Sequence, residues 1–158
     1  MTSIMKVDTI QKADGSSGVH IGGHVVQTVT STNTLFTSTT SSTYTDVITV
    51  SFTPKFNNSS LIVSCVCRYQ ENANTRDAKV KILHNGTQLM EINSYLVYSG
   101  GNNNIGTVPV TGFVSSTGST SARDIKLQMA VYGESGQTLY INPNSTNGTC
   151  MYIQEIAQ

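Results

Sequence analysis

About nine stretches of this chain alternate apolar and polar residues with a period of two, and none longer than a turn or two repeats near 3.6. Such a chain can build strands, turns and loops but no amphipathic helix. The segment 61–70 is the clearest case. Leu61, Val63, Cys65, Cys67 and Tyr69 share one face and Ser64, Arg68 and Gln70 the other, with Ile62 and Val66 as exceptions. The outward positions are filled mainly by Ser, Thr and Asn, so the expected surface is a neutral one of hydroxyls and amides.

At 158 residues the chain fits one domain, able to bury roughly 70% of its unfolded surface without help from disulfides or metals. Nine basic residues balance nine acidic ones, and only 11% of the chain is charged. Its lysines are scattered, which excludes the basic stripe that a phosphate backbone requires, so nucleic acid is not an expected partner. No apolar run approaches the roughly eighteen residues of a membrane span, and residues 1–10 lack a signal-peptide core, so synthesis in the cytoplasm with no membrane partner is expected. Cys65 and Cys67 lie side by side on one strand, a poor geometry for a disulfide, and with Cys150 they read as reduced. The sequons at Asn57, Asn58, Asn85, Asn144 and Asn147 reflect composition. Zero net charge removes long-range repulsion between copies and favours self-association.

Two regions differ. In residues 1–24, Ile4, Val7, Ile10, Val19 and Ile21 are irregularly spaced around glycine-rich steps and cannot bury a core of their own, which predicts an extended N-terminal arm. From residue 25 to 158 the pattern predicts strands at 25–29, 46–52, 61–70, 78–84, 87–93, 107–114, 124–132, 138–142 and 149–156, in a sandwich or a barrel. His84-Asn85-Gly86-Thr87 predicts a hairpin with a type I′ turn. The Thr-rich segment 28–45, with only Leu35, Phe36 and Tyr44 as large anchors, reads as an edge strand plus a loop.

Catalytic constellations are sparse. No Gly-x-Ser-x-Gly elbow occurs, and Gly133-Glu134-Ser135-Gly136 reads as a turn. A glycosidase would need two carboxylates facing across a cleft, drawn from Asp46, Glu71, Asp77, Glu91, Asp124, Glu134 and Glu155, most of which fall at turns or strand ends. Glu71, Arg76 and Asp77 read as a solvated turn. His20 and His24 lie four apart and would form rings of imidazoles around a three-fold axis, a possible metal site weighed against ordinary polar arm residues. No metal and no cofactor is expected. Tyr69, Tyr95, Tyr98, Tyr132 and Tyr140 are candidate sugar platforms, with Tyr95 and Tyr98 preferred because they precede Asn102, Asn103 and Asn104 in a polar loop.

The opening Met5-Lys6-Val7-Asp8-Thr9-Ile10-Gln11 with its glycine-rich step, the phrase Phe52-Thr53-Pro54-Lys55-Phe56-Asn57-Asn58, and the apolar last strand ending Ile156-Ala157-Gln158 resemble short fibre and surface proteins of tailed bacteriophages. The resemblance implies an all-β protein: an antiparallel jelly-roll-like β-sandwich, similar to the tumour-necrosis-factor fold, assembled as a homotrimer. It also implies a virion location, with the arm attached to other virion proteins through Val7, Ile10, Val19 and Ile21. A strand apolar on both faces would suit the trimer axis, which selects Met151, Tyr152 and Ile153 as the expected interface. The expected function is non-enzymatic adhesion or particle decoration, with host-surface glycan met through Tyr95, Tyr98 and the Asn102 to Asn104 loop. The rivals are a free carbohydrate-binding module and a capsule depolymerase acting through a carboxylate such as Asp77 or Glu134.

Overall fold

The computed structural model describes residues 22–72, 77–95, 104–131, 138–142 and 148–158. Ten strands are present: β1 (Val25–Asn33), β2 (Thr37–Thr39), β3 (Thr45–Phe52), β4 (Ser60–Asn72), β5 (Asp77–His84), β6 (Thr87–Tyr95), β7 (Asn104–Val114), β8 (Arg123–Val131), β9 (Thr138–Ile141) and β10 (Thr149–Ile156). Every strand that the period of two predicts is found, with bounds shifted by a few residues. The Thr-rich segment resolves into a longer β1, then the short β2 at the margin of a sheet, then a loop.

Eight strands pair as nested couples, β1 with β10, β3 with β8, β4 with β7 and β5 with β6, all antiparallel. That nesting is a long hairpin rolled over on itself, the jelly-roll topology. It yields a first sheet in which β10 and β4 join the couples as β1-β10-β4-β7, and a second in the order β3-β8-β5-β6. The architecture is thus an all-β, two-sheet sandwich.

Strand β4 is the spine of the first sheet. One of its edges pairs with β7 from Leu61 to Glu71; the other pairs first with β10, through Val66, and then with β9, from Tyr69. At the junction Asn142 takes a positive φ of 54°. It donates its N–H to Arg68 O at 3.0 Å, accepts from Thr149 N and Oγ1, and donates Nδ2 to Leu35 O. A fully buried Asn that satisfies both neighbouring strand ends closes the gap between β9 and β10.

Between the sheets lies one core. Leu61, Val63, Cys65, Cys67 and Tyr69 from β4, Met151 and Ile153 from β10, and Val108 and Val110 from β7 face Val50, Phe52, Val80, Ile82, Ile125, Leu127 and Met129. Cys65 and Cys67 are free and buried, as the sequence suggested. Burial, and for Cys65 the adjacent Cys67, pushes both thiols up to about 12. Because the thiolate is the reacting species, neither should be alkylated by iodoacetamide at pH 8 in the native protein, and both should be labelled at once in denaturant. Labelling of Cys67 under native conditions would contradict this packing.

The β5–β6 hairpin has the expected turn, with Asn85 at φ 48° and Gly86 at φ 81°. At the other end, Gly23 N donates to Ala157 O at 2.7 Å and Ala157 N to His24 O at 2.8 Å, so the chain enters the sandwich beside its own C-terminus.

Candidate functional site

The outward surface of the first sheet sets this molecule apart. Pairing register arranges its side chains in rows: Thr28, Gln154, Ile62 and Phe113, then Thr30, Tyr152, Ser64 and Thr111, then Thr32, Cys150, Val66 and Pro109. A further row holds Ser38, Tyr140, Gln70 and Ile105. Phe113 is 59% exposed, Ile105 55%, Tyr152 47% and Val66 41%, and Phe36 stacks on Tyr140 with ring centroids 5.7 Å apart. Large apolar side chains thus alternate with threonines across a broad exposed face. Contiguous apolar exposure of this kind marks an interaction surface.

Charge has been moved elsewhere. Among the described outward side chains of the first sheet, Arg68 is the one ionised group. The second sheet carries Asp46, Lys79, Lys81, Glu91, Asp124 and Lys126 on its strands. There Lys126 Nζ meets Asp46 at 2.7 Å, and that bond, with one from Gln128, holds the Asp46 carboxyl below its ordinary value. Tyr44 donates to Glu91 at 2.7 Å while Lys81 Nζ sits 3.8 Å over the Tyr44 ring. Burial, reinforced by Glu91, raises the Tyr44 phenol. One side of the sandwich is therefore solvated and charged, the other neutral and apolar.

Arg68 stands where β4 changes partner from β10 to β9. Its Nε is buried and has no hydrogen-bond acceptor among the described residues. An N–H of a guanidinium left in that state is costly.

The sequence-selected residues fall as follows. Met151 and Ile153 point into the sandwich and are wholly buried, so they are spent on their own subunit's core; of the three expected interface residues, Tyr152 alone faces outward. Strict alternation along β10 is the reason, since neighbouring residues cannot share a face. Tyr69 is a core residue and Tyr140 an outward one. Tyr95 ends β6 and Asn104 begins β7, while Val7, Ile10, Val19, Ile21, His20, Tyr98, Asn102, Asn103, Arg76, Tyr132 and Glu134 lie outside the described residues. His24 is exposed. Among the described residues no three His, Cys, Asp or Glu side chains group as metal ligands.

Sequence reasoning counted Glu155 among the candidate carboxylates and missed its buried structural role. Its side chain is fully buried beneath the β3–β4 corner, where Oε1 accepts from Lys55 N at 2.9 Å, Phe56 N at 3.0 Å and Ser59 Oγ at 2.5 Å, and Oε2 from Gln27 Nε2 at 2.6 Å. Burial by itself raises this carboxyl, but the bonds from Ser59, Lys55, Phe56 and Gln27 outweigh it and the group is held below its ordinary value. The neighbouring β7–β8 loop joins this corner, with Thr117 N donating to Ser59 O and Thr117 Oγ1 to Phe56 O, and Arg123 pins it by donating to Thr117 O, Ser119 O and Ser119 Oγ. Burial and the nearby Arg123 cation lower the His84 imidazole, whose Nε2 is 3.3 Å from that guanidinium.

No family model and no curated protein matches this sequence. Solved structures do. The dimeric latent PorU of Porphyromonas gingivalis aligns over 90% of this chain with a TM-score of 0.51 and 11% identity. VP2 of infectious bursal disease virus, in its subviral particle, aligns over 84% at 0.44 and 14% identity, and the C-terminal domain of EclA, a sugar-binding protein, over 92% at 0.43 and 11% identity. The chain spans 14% of the PorU chain, 37% of VP2 and 89% of the EclA domain. At such identities the likeness is one of fold, and no residue role passes to this chain.

Proposed function

We propose that this chain is a non-enzymatic structural protein of a phage virion: a trimeric jelly-roll head on the particle exterior, tethered by residues 1–24, serving host-surface adhesion or particle decoration. One observation carries the association. Arg68 apart, the first sheet presents a neutral, apolar outer face while most charges among the described residues lie on the second, and burying that face against copies of itself stabilises by about 25 cal/mol per Å². Pro109 in the margin strand β7 removes a donor from the free edge, which blunts edge-to-edge pairing and leaves the face as the route to assembly. The attachment role of the arm rests on the resemblance of its residues to phage fibre leaders. Position on capsid or tail is left open by both.

Sedimentation of the recombinant protein tests the first half: a trimer is expected with the arm and without it, and a monomer in both would overturn the assignment. Deleting residues 1–24 should abolish incorporation into particles while the head stays folded, and arm-less protein that still decorates particles would refute the tether. A free carbohydrate-binding module is the second reading, favoured by the exposed Phe36 ring stacked on the half-buried Tyr140. Monomeric protein retained on a glycan array would select it.

A further inference from the structure

We infer that His84 is an acid sensor for the β7–β8 loop: as a neutral imidazole it accepts one N–H of Arg123, and on taking up a proton it breaks that contact and loosens residues 115–122. The inference goes beyond the proposed function and depends on neither the trimer nor the virion.

Its basis is the donor count of Arg123. A guanidinium has five N–H groups and no acceptor, and each of the five is used. Nε meets Ser121 O at 3.3 Å, Nη2 meets Ser119 O at 2.7 Å and Ser119 Oγ at 2.9 Å, and Nη1 meets Thr117 O at 2.5 Å and His84 Nε2 at 3.3 Å. Since the arginine can only donate, His84 Nε2 is the acceptor and the ring proton sits on Nδ1. Four of the five acceptors are carbonyl or hydroxyl oxygens, which keep that role in mild acid. The imidazole does not. Once protonated, its Nε2 becomes a donor, and two cations face each other where one hydrogen bond stood.

The loop is built round this guanidinium. The carbonyls of Thr117, Ser119 and Ser121 all turn towards it, a curl in which Gly118 takes a φ of 70°. On its other side Thr117 is tied to the β3–β4 corner through Phe56 O and Ser59 O. Arg123 is thus the link between the loop and the second sheet. By strand parity His84 continues the inward series Val80 and Ile82 on β5, and Arg123 that of Ile125 and Leu127 on β8, so both lie half-buried at the end of the core. A second positive charge there is poorly screened.

The surrounding elements offer little to balance it. Strand β6 sets Thr87 opposite His84, residues 115–122 hold no ionisable side chain, Asp124 and Lys55 are exposed, and Glu155 is committed to Lys55 N, Phe56 N and Ser59. Arg123 is the charge that acts on the imidazole, and with burial as the larger cause it holds His84 below its ordinary 6.5. A histidine lowered in the closed form favours that form fully above about pH 6.5, and the preference is lost as pH falls from there through the lower native value.

The experiment follows exchange of the Thr117 amide, bonded to Ser59 O, by NMR on the full-length protein at about pH 7.5 and about pH 5, each rate divided by the intrinsic rate at that pH. The lower value stays above the range in which the lowered Glu155 carboxyl takes up its proton. Protection of Thr117 in wild type should fall about tenfold, the loss of one hydrogen bond to a charged group. In His84→Gln, whose amide oxygen stands near the place of Nε2 and does not titrate, the fall should be less than about twofold. Replacing both His20 and His24 by Gln should leave the full response, and the amides of Val63 and Cys65 should stay protected throughout. Equal protection of wild type at both pH values would overturn the inference, as would a fall in His84→Gln as large as in wild type, or a fall shared by β4. The ring tautomer tests it without any variant: nitrogen shifts at about pH 7.5 should show the proton of His84 on Nδ1, and a proton on Nε2 would equally overturn it.

Discussion

Glu155→Ala is expected to lower the unfolding free energy by about 3 to 5 kcal/mol, since several buried donors lose their acceptor at about 1 to 3 kcal/mol each. The carboxylate gathers Lys55 N, Phe56 N, Ser59 Oγ and Gln27 Nε2 on its two oxygens at 2.5 to 3.0 Å. Alanine would leave those donors facing a cavity. The corner would keep its bonds from Thr117 to Phe56 O and Ser59 O and from Gln27 to Thr53 O, so the loosening would centre on the β3–β4 turn. Glu155→Gln should cost less, about 1 to 2 kcal/mol, because the amide oxygen can keep the Oε1 bonds, while the NH2 that replaces Oε2 loses the contact to Gln27 Nε2 and the second contact to Lys55 N. The two variants also differ from wild type in pH dependence. The Glu155 carboxyl is lowered in the folded state, so its contribution is fully present above the unfolded value near 4.5 and drains away as pH falls through the lower native value. Urea unfolding between pH 7 and pH 3 should therefore show a fall in wild type that is much reduced in Glu155→Gln. Identical slopes in the two proteins would mean that this carboxylate is not the acid-sensitive group.

The position of Glu155 was readable in principle. In β10 the inward parity runs Thr149, Met151, Ile153, Glu155, and the same count that buries Ile153 buries the glutamate. What local sequence could not show is the partner, since the four donors come from Gln27 and from Lys55 to Ser59, about a hundred or more residues away along the chain. The same limit governs the outward face. Each strand showed its own alternation, and β3 to β8 were legible one by one, but only the nested pairing puts Phe113, Tyr152 and Val66 on one surface and the lysines on another. Period two also divides Met151, Tyr152 and Ile153, which the sequence reading groups as one interface, between the two faces of β10. Tyr152 is the outward residue between two inward ones, and the strand meets solvent through Tyr152 rather than through Met151 or Ile153. Asn142 is the least legible of all, because a lone asparagine at the end of a short strand gives no hint that it bridges β4, β10 and the loop residue Leu35.

Gly106→Ala should cost about 3 kcal/mol, at the upper end of what one added methyl does in a packed core. Gly106 pairs directly with Tyr69 across β4 and β7, and the tyrosine ring occupies the space that a side chain at 106 would need. A Cβ there would sit 2.7 Å from Tyr69 Cε1 and closer still to Cζ and Oη. The ring cannot swing away, since Tyr69 is 1% exposed and wedged between the sheets. The position has no positive φ, so backbone strain plays no part and the clash is with the side chain alone. This makes the effect separable. In a Tyr69→Leu background the space over Gly106 opens, and alanine there should become neutral or stabilising by a few tenths of a kcal/mol, because glycine in a strand interior carries an entropic cost of roughly 0.5 to 1 kcal/mol relative to alanine. A double-mutant cycle in chemical denaturation would then give a coupling energy of about 3 kcal/mol, at the top of the range seen for residues in contact. A cycle that closes additively would show that the ring does not cover the glycine. It would also remove the reason for a strandless residue type at the point where β4 leaves β10 for β9, the place where the outward face turns from Tyr152 and Val66 toward Tyr140 and Ile105.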